Sequence, residues 1–196
     1  YETTYEPAWF QKAVELSDKI NRLFRNAEGP YYDTGTDGEV LLTRNAEGYD
    51  GVEPSGNSSL AHAFLRLRAY GLATQYYEDT QRIFRGFAQH LEQAGVSFSA
   101  MLGGLHFSLS VAKEVVISGR RGEAETELLL DELRREYHPN IVVSFVENGE
   151  SPETEKIIPL ASGRAMVNDS ATAYVCQNQT CQIPVHSVDE LRQLLV

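Results

Sequence analysis

The chain has 196 residues, 42% of them hydrophobic, and carries a formal net charge of −11. That length suits one domain, or one domain with a small appendage, and can bury a real core. The acidity argues against nucleic acid and against an anionic membrane surface, both of which are bound through Lys and Arg. No apolar run approaches the roughly 20 residues that span a bilayer. Two cysteines are too few for a disulfide-built secreted scaffold, so a soluble protein of the reducing cytoplasm is expected. The sequence opens at Tyr1 without a basic or apolar leader and enters helix almost at once, reading as a piece of something longer.

In chain order, Phe10, Ala13, Leu16, Ile20, Leu23 and Phe24 recur at helical spacing behind Pro7. Gly29-Pro30 stops that helix, and Asp37-Gly38 sits between two extended pieces as a hairpin turn would. A second helix restarts after Ser55, Asn57 or Ser58 as its cap and ends at Gly71. Tyr76, Thr80, Ile83, Phe84, Phe87 and Leu91 share one face of a third helix; Phe98, Met101, Leu102, Leu105 and Leu109 form the stripe of a fourth. Helix after helix on short turns implies an antiparallel helical array, either a small bundle or one arc of a larger ring. From Lys113 the pattern changes. "KEVVISG" and "NIVVSFV" are β-branched runs flanking a helix with acids early and arginines late, which is a βαβ pattern. "ATAYVC" reads as a third strand and "SVDELRQLLV" as a closing helix capped by Ser187, after an irregular excursion from Glu147 to Asp169. The fold class is therefore mixed α and β, mainly helical.

The polar segment from Tyr31 to Asn57 is the richest in chemistry. "EPSGNSS" combines a fixed backbone angle, a permissive glycine and capping side chains, so it is either a well-capped helix start or a pocket wall at a helix N-terminus. Tyr31, Tyr32 and Asp33 either pack across strands or offer aromatic faces and a hydroxyl-accepting carboxylate to a sugar. Asp33, Asp50 and Glu53 are candidates for an acid/base pair, and Arg44 for the group that orients one of them. No histidine stands four residues from another, and His62 and His106 read as packing residues. Cys176 and Cys181, with His186, are one ligand short of a closed structural zinc site. Two reduced thiols, or a hairpin disulfide under oxidation, are expected instead. With no phosphate loop, dinucleotide loop or nucleophile elbow, neither cofactor nor metal is expected.

Taken in order, "GPYYDTGTDGEVLLTR", "YDGVEPSGNS", "LRL", "KEVVISG", "YHPNIVV" and "ATAYVCQNQTCQIPVHSVDELRQLL" resemble the C-terminal part of a thioredoxin-domain-containing family, the spermatogenesis-associated protein 20-like proteins. The resemblance implies a longer protein in which an N-terminal thioredoxin-like domain precedes a six-hairpin (α/α) toroid similar to N-acylglucosamine 2-epimerases and related glycosidases. Residues 1–112 would be its last helical hairpins, with a β-hairpin/loop insertion at 29–57, and residues 113–196 a small α/β element. By resemblance, Tyr32, Asp33, Arg44, Asp50, Ser55, Gly56 and Asn57 match recurring motif positions. Pro30 replaces a common glycine, and Asn45-Ala46 stand where Pro-Lys is usual. The expected function is binding of a sugar or polyol in a polar cavity through Tyr32, Arg44, Ser55, Gly56 and Asn57, with Asp50 and Asp33 for epimerase-like or glycosidase-like acid/base chemistry. The fragment alone is expected to be inactive, and to self-associate through helix faces that an opened ring exposes. The alternative is a redox-associated scaffold whose Cys176 and Cys181 exchange electrons with the thioredoxin-like domain, or an interaction module without catalysis.

Overall fold

The computed structural model describes residues 1–147, 152–177 and 180–195. About half of the chain is helical and one small sheet has four strands, so the fold is mixed α and β. The chain divides into two compact units.

The helical unit comprises Gln11–Arg68 and Leu72–Leu109. Its helices are α1 (Pro7–Phe24, in this unit from Gln11 on), α2 (Gly56–Ala69), α3 (Gln75–Ala94) and α4 (Ser99–Leu109), the last two separated by a 3₁₀ turn at Gly95–Phe98. Leu60 and Phe64 of α2, Tyr76, Ile83, Phe84 and Phe87 of α3, and Met101 of α4 are among its buried apolar residues. Phe64 anchors an aromatic row, its ring centroid 5.8 Å from Tyr31 and 5.1 Å from Tyr76. The α3 stripe is buried as its spacing requires, except for half-buried Leu91. The α4 stripe is not: Met101, Gly104 and Phe107 are buried, whereas Leu102 and Leu109 are exposed. This helix is apolar on several faces, so periodicity does not select one. Residues 25–55 form no strand, and Asp37-Gly38 turns a loop rather than a hairpin. Val40 and Leu42 there are fully exposed, without a partner strand to cover them.

The second unit holds Ser110–Val196 together with Tyr1–Phe10 and Ala69–Gly71. β1 (Lys113–Gly119) runs parallel to β2 (Ile141–Glu147) through α5 (Ala124–Arg135). β3 (Thr172–Gln177) lies antiparallel to β1 on its other side, and β4 (Thr180–Cys181) pairs with β3, giving the order β2-β1-β3-β4. Val115, Val116 and Ile117 are buried on both faces of β1, which explains the β-branched run at the middle of this central strand. The excursion expected to be irregular holds a short helix, α6 (Pro152–Ile157), and a 3₁₀ turn at Pro159–Ala161; its residues 148–151 lie outside the described residues. The sheet unit also takes in two segments from earlier in the chain, Tyr1–Phe10 and Ala69–Gly71. Tyr1 bonds Ser144 Oγ through its hydroxyl (2.7 Å), Tyr5 packs on Phe145, and Tyr70 donates to the Val143 carbonyl (2.8 Å). Aromatics from the start and middle of the chain thus complete the sheet unit, a long-range closure that local pattern does not encode.

The closing helix α7 (Val188–Leu195) buries Leu191 completely. Its start is a capping box: Ser187 Oγ accepts from the Glu190 amide (3.3 Å) while the Glu190 carboxylate accepts from the Ser187 amide (3.1 Å). Arg192 forks onto Glu132 of α5, with Nε and Nη2 at 2.8 and 2.9 Å from the two carboxylate oxygens. The Arg192 hydrogen bonds, stronger than the opposing desolvation, hold the Glu132 carboxyl below its ordinary value of 4.5. A depressed folded pKa contributes stability above the unfolded value and loses it as pH falls through the folded one. Glu132→Gln should therefore lower the melting temperature at pH 7, and the gap to the parent should close once the pH is well below 4.5. Melting curves across that range check this.

Candidate functional site

The loop of residues 25–55 has no ladder to satisfy its backbone, so side chains must do it. Asn57, in the first turn of α2 and 2% exposed, accepts from the Tyr31 amide (2.8 Å) and donates to the carbonyls of Tyr31 and Glu47 (both 2.9 Å). Both of its N–H groups and one oxygen lone pair are used, tying two remote parts of the loop to one helix. Ser55 is the cap of α2, its Oγ accepting from the Ser58 amide (3.1 Å). Asp33 accepts from the Glu47 amide (3.0 Å), and its own amide donates to the Asn45 carbonyl (2.8 Å). Gly48 lies where an added Cβ would stand 2.6 Å from the Phe87 ring, so only glycine lets the loop pass α3 here.

Asp50 joins the loop to α4. Its Oδ1 accepts from the Ser55 amide (2.9 Å) and its Oδ2 from the amides of Ala100 and Met101 (2.9 and 3.1 Å), two of the free donors of that helix's first turn. Burial pushes its pKa up, but hydrogen bonds from Ser55, Ser58, Met101 and Ala100 together hold it below 3.8. Arg44 stacks on Tyr32, 4.2 Å from guanidinium to ring centroid, and donates to the carbonyls of Leu23 (3.2 Å) and Thr34.

A cavity of about 340 Å³ opens beside this loop. Ile20 and Phe24 of α1, Tyr31, Tyr32 and Asp33 of the loop, and Gly56, Asn57 and Leu60 of α2 line it. Of the residues singled out from sequence, Tyr32, Asp33, Gly56 and Asn57 meet at this cavity. Arg44, Asp50 and Ser55 are not among its walls; they brace the loop and the helices that form it. Asn57 does both.

Sequence reading missed Asp79. It is 1% exposed, and one of its oxygens receives Arg25 (2.9 Å), Arg82 and Gln75 (3.1 Å). Beside it, burial first and then the Asp79 charge push the Tyr31 phenol well above its ordinary value, and that hydroxyl donates to Asn21. Gln75 and Arg82 stand four and three residues from Asp79 on the same helix, which is the one sequence signal that marks it. Of the two states expected from sequence, reduced thiols or a hairpin disulfide, the structure has the second, a Cys176–Cys181 disulfide across β3 and β4. Among the described residues, no group of three His, Cys, Asp or Glu is placed to hold a metal, and no helix is long and apolar enough to cross a membrane.

Asp50→Ala should remove the α4 cap and cost about 1–2 kcal/mol of stability. Gly48→Ala should also destabilise the helical unit, because the Phe87 ring must move. Denaturant titration of both variants, with Asp33→Ala as an exposed comparison, reads these losses. An Asp50→Ala variant as stable as the parent would mean that the α4 amides are equally well served by water.

No family model matches the chain. It is 31% identical over 197 residues to spermatogenesis-associated protein 20 of Homo sapiens, and 30% identical over 200 residues to the proteins of that name in Rattus norvegicus and Mus musculus. Each alignment takes in 100% of this chain and 25% of the relative. The chain therefore spans about a quarter of the length of the curated relatives it matches. Its homologues are spermatogenesis-associated protein 20, at about 30% identity along the full chain.

Proposed function

We propose that the helical unit binds a small polyhydroxy ligand, a sugar or polyol, in the cavity beside Tyr32. The observation that carries the reading is the composition of its walls. Two tyrosines, Phe24, Ile20 and Leu60 offer apolar faces for C–H groups, and Asp33 supplies an exposed carboxylate that can accept hydroxyl protons. Gly56 leaves the mouth open, since a Cβ there would meet nothing within 4 Å.

The reading favours binding over chemistry within this chain. An acid/base pair needs a second carboxyl free to take and give a proton. Asp50 spends its oxygens on three backbone amides that favour its ionised form. The six-hairpin ring that the sequence resemblance implies suggests a larger frame. In it the chain is the C-terminal part of a longer protein, its helices are the last hairpins of an (α/α) toroid, and the loop of residues 25–55 lines the ring's centre. The thioredoxin-like domain would then lie elsewhere in that protein, and a reaction would draw its second catalytic group from the opposite wall.

Calorimetric titration of this chain and of the longer protein with sugars, sugar phosphates and polyols tests the reading. Binding should weaken about tenfold in Asp33→Asn, the size of one hydrogen bond to a charged acceptor. Tyr32→Ala should weaken it comparably. Gly56→Ala should alter affinity without loss of stability, because the added methyl enters open space at a helical position. No heat with any of these ligands, or equal binding by Asp33→Asn and Tyr32→Ala, would overturn it.

A further inference from the structure

The Cys176–Cys181 disulfide sits at the edge of the sheet, across the short β3–β4 pairing. Its two ends are unequal: Cys176 is buried and Cys181 is exposed. Upstream, Gly163 takes a positive φ of 71°, and the turn it makes leads directly into Arg164. The Arg164 guanidinium is fixed by Nη1, which donates to the carbonyls of Leu160 and Ser162 (2.5 and 3.2 Å). Its Nη2 lies 3.4 Å from both sulfurs.

The sulfurs themselves gain little from that placement while the disulfide is closed. A neutral disulfide sulfur is a weak acceptor and carries no charge for a cation to balance. Half-burying a guanidinium costs hydration; burial lowers the Arg164 pKa, while the charge of Glu114, the β1 neighbour of Cys176, and Tyr174 oppose that. Beyond Glu114, a further partner for the cation is a thiolate, which forms when the bond opens and which a fixed cation stabilises. Cys176 is the sulfur that needs this help, because its surroundings exclude water.

We propose that Cys176–Cys181 is a redox-active disulfide, opened by a dithiol reductant at the exposed Cys181 sulfur, with Arg164 positioned to hold the departing Cys176 thiolate. In the first step a thiolate of the reductant forms a bond to Cys181 Sγ as the Cys176–Cys181 bond breaks, and Cys176 Sγ keeps the electron pair. In the second step the reductant's other thiol, deprotonated, attacks its own sulfur in the mixed disulfide and Cys181 leaves. The reductant ends as a disulfide and the chain as a Cys176/Cys181 dithiol. Two electrons have been transferred, and the protons of the two reductant thiols pass to the two new thiols or to water.

The test uses the whole 196-residue chain equilibrated in dithiothreitol redox buffers, with the thiols then alkylated and weighed by mass spectrometry. Arg164→Gln should disfavour the reduced form about tenfold, a midpoint ~30 mV more negative for a two-electron couple, and should slow reduction about tenfold. Arg164→Lys, which keeps the charge, should fall between. A glutathione adduct trapped during reduction should map to Cys181. An unchanged midpoint in folded Arg164→Gln overturns the proposal, as does a parent disulfide that opens only after unfolding. Should Arg164→Gln fail to fold, the parent decides: an adduct at Cys176, or none under native conditions, overturns the proposal equally.

Discussion

The side-chain amide of Asn57 is the fastening on which the helical unit's loop depends. Thirty-one residues without helix or strand carry many backbone donors and acceptors, and each one buried without a partner costs on the order of 1–3 kcal/mol. The chain meets this demand with a few side chains rather than with a ladder. Asn57 bonds Tyr31 and Glu47, Asp33 bonds Glu47, and Asp50 bonds Ser55 and the first turn of α4. The cavity is a consequence of that bracing, since Tyr31, Tyr32 and Asp33 face it from a loop that Asn57 holds against α2. Rigidity of a cavity wall normally comes from strands or helices. Here polar side chains supply it, which accounts for a loop so rich in acids, amides and hydroxyls.

The elements themselves were largely legible. Four helices, two β-branched strands around a helix, a third strand and a capped closing helix all follow from periodicity and from capping residues. What failed to show was anything set by distant partners. Loop residues Asp37-Gly38 have hairpin chemistry, but no strand forms on either side, because the hydrogen bonds of Tyr31, Asp33 and Glu47 go to side chains and to Asn45. The place of β3 between β1 and β4 rests on pairing across more than fifty residues. Tyr1, Tyr5 and Tyr70 completing the sheet unit depends on the same long-range closure. On α4, an apolar residue at nearly every turn left the buried face undetermined, and packing selected Met101, Gly104 and Phe107.

At the site, residue type was a better guide than residue role. The sequence singled out Tyr32, Asp33, Arg44, Asp50, Ser55, Gly56 and Asn57, and the structure links nearly all of them through one loop and its helices. A carboxylate in a loop can be a ligand, a general base or a helix cap, and composition alone does not separate these. Geometry does: Asp50 faces three amides, whereas Asp33 lies on a cavity wall with one amide bond. The hidden carboxylate of Asp79 is the converse case. It sits in a helix among ordinary charged residues, and only its burial beside Tyr31 with two arginines distinguishes it from a solvated surface acid.

The same distinction between a group that is used up and one that is kept in reserve runs through the sheet unit. Arg192 and Glu132 satisfy each other with two parallel bonds, so their charges serve only to join α7 to α5. Arg164 is held as firmly by backbone carbonyls, yet the end that remains points at two neutral sulfurs. Half-burying that cation costs hydration in the oxidised state, which the Glu114 charge offsets in part, and a thiolate in the reduced state would offset it further. In both units the residues with chemistry left over, Asp33 at the cavity and Arg164 at the disulfide, are fixed by backbone contacts that leave their charged ends only partly engaged. Fixing by backbone contacts is what keeps such an end available.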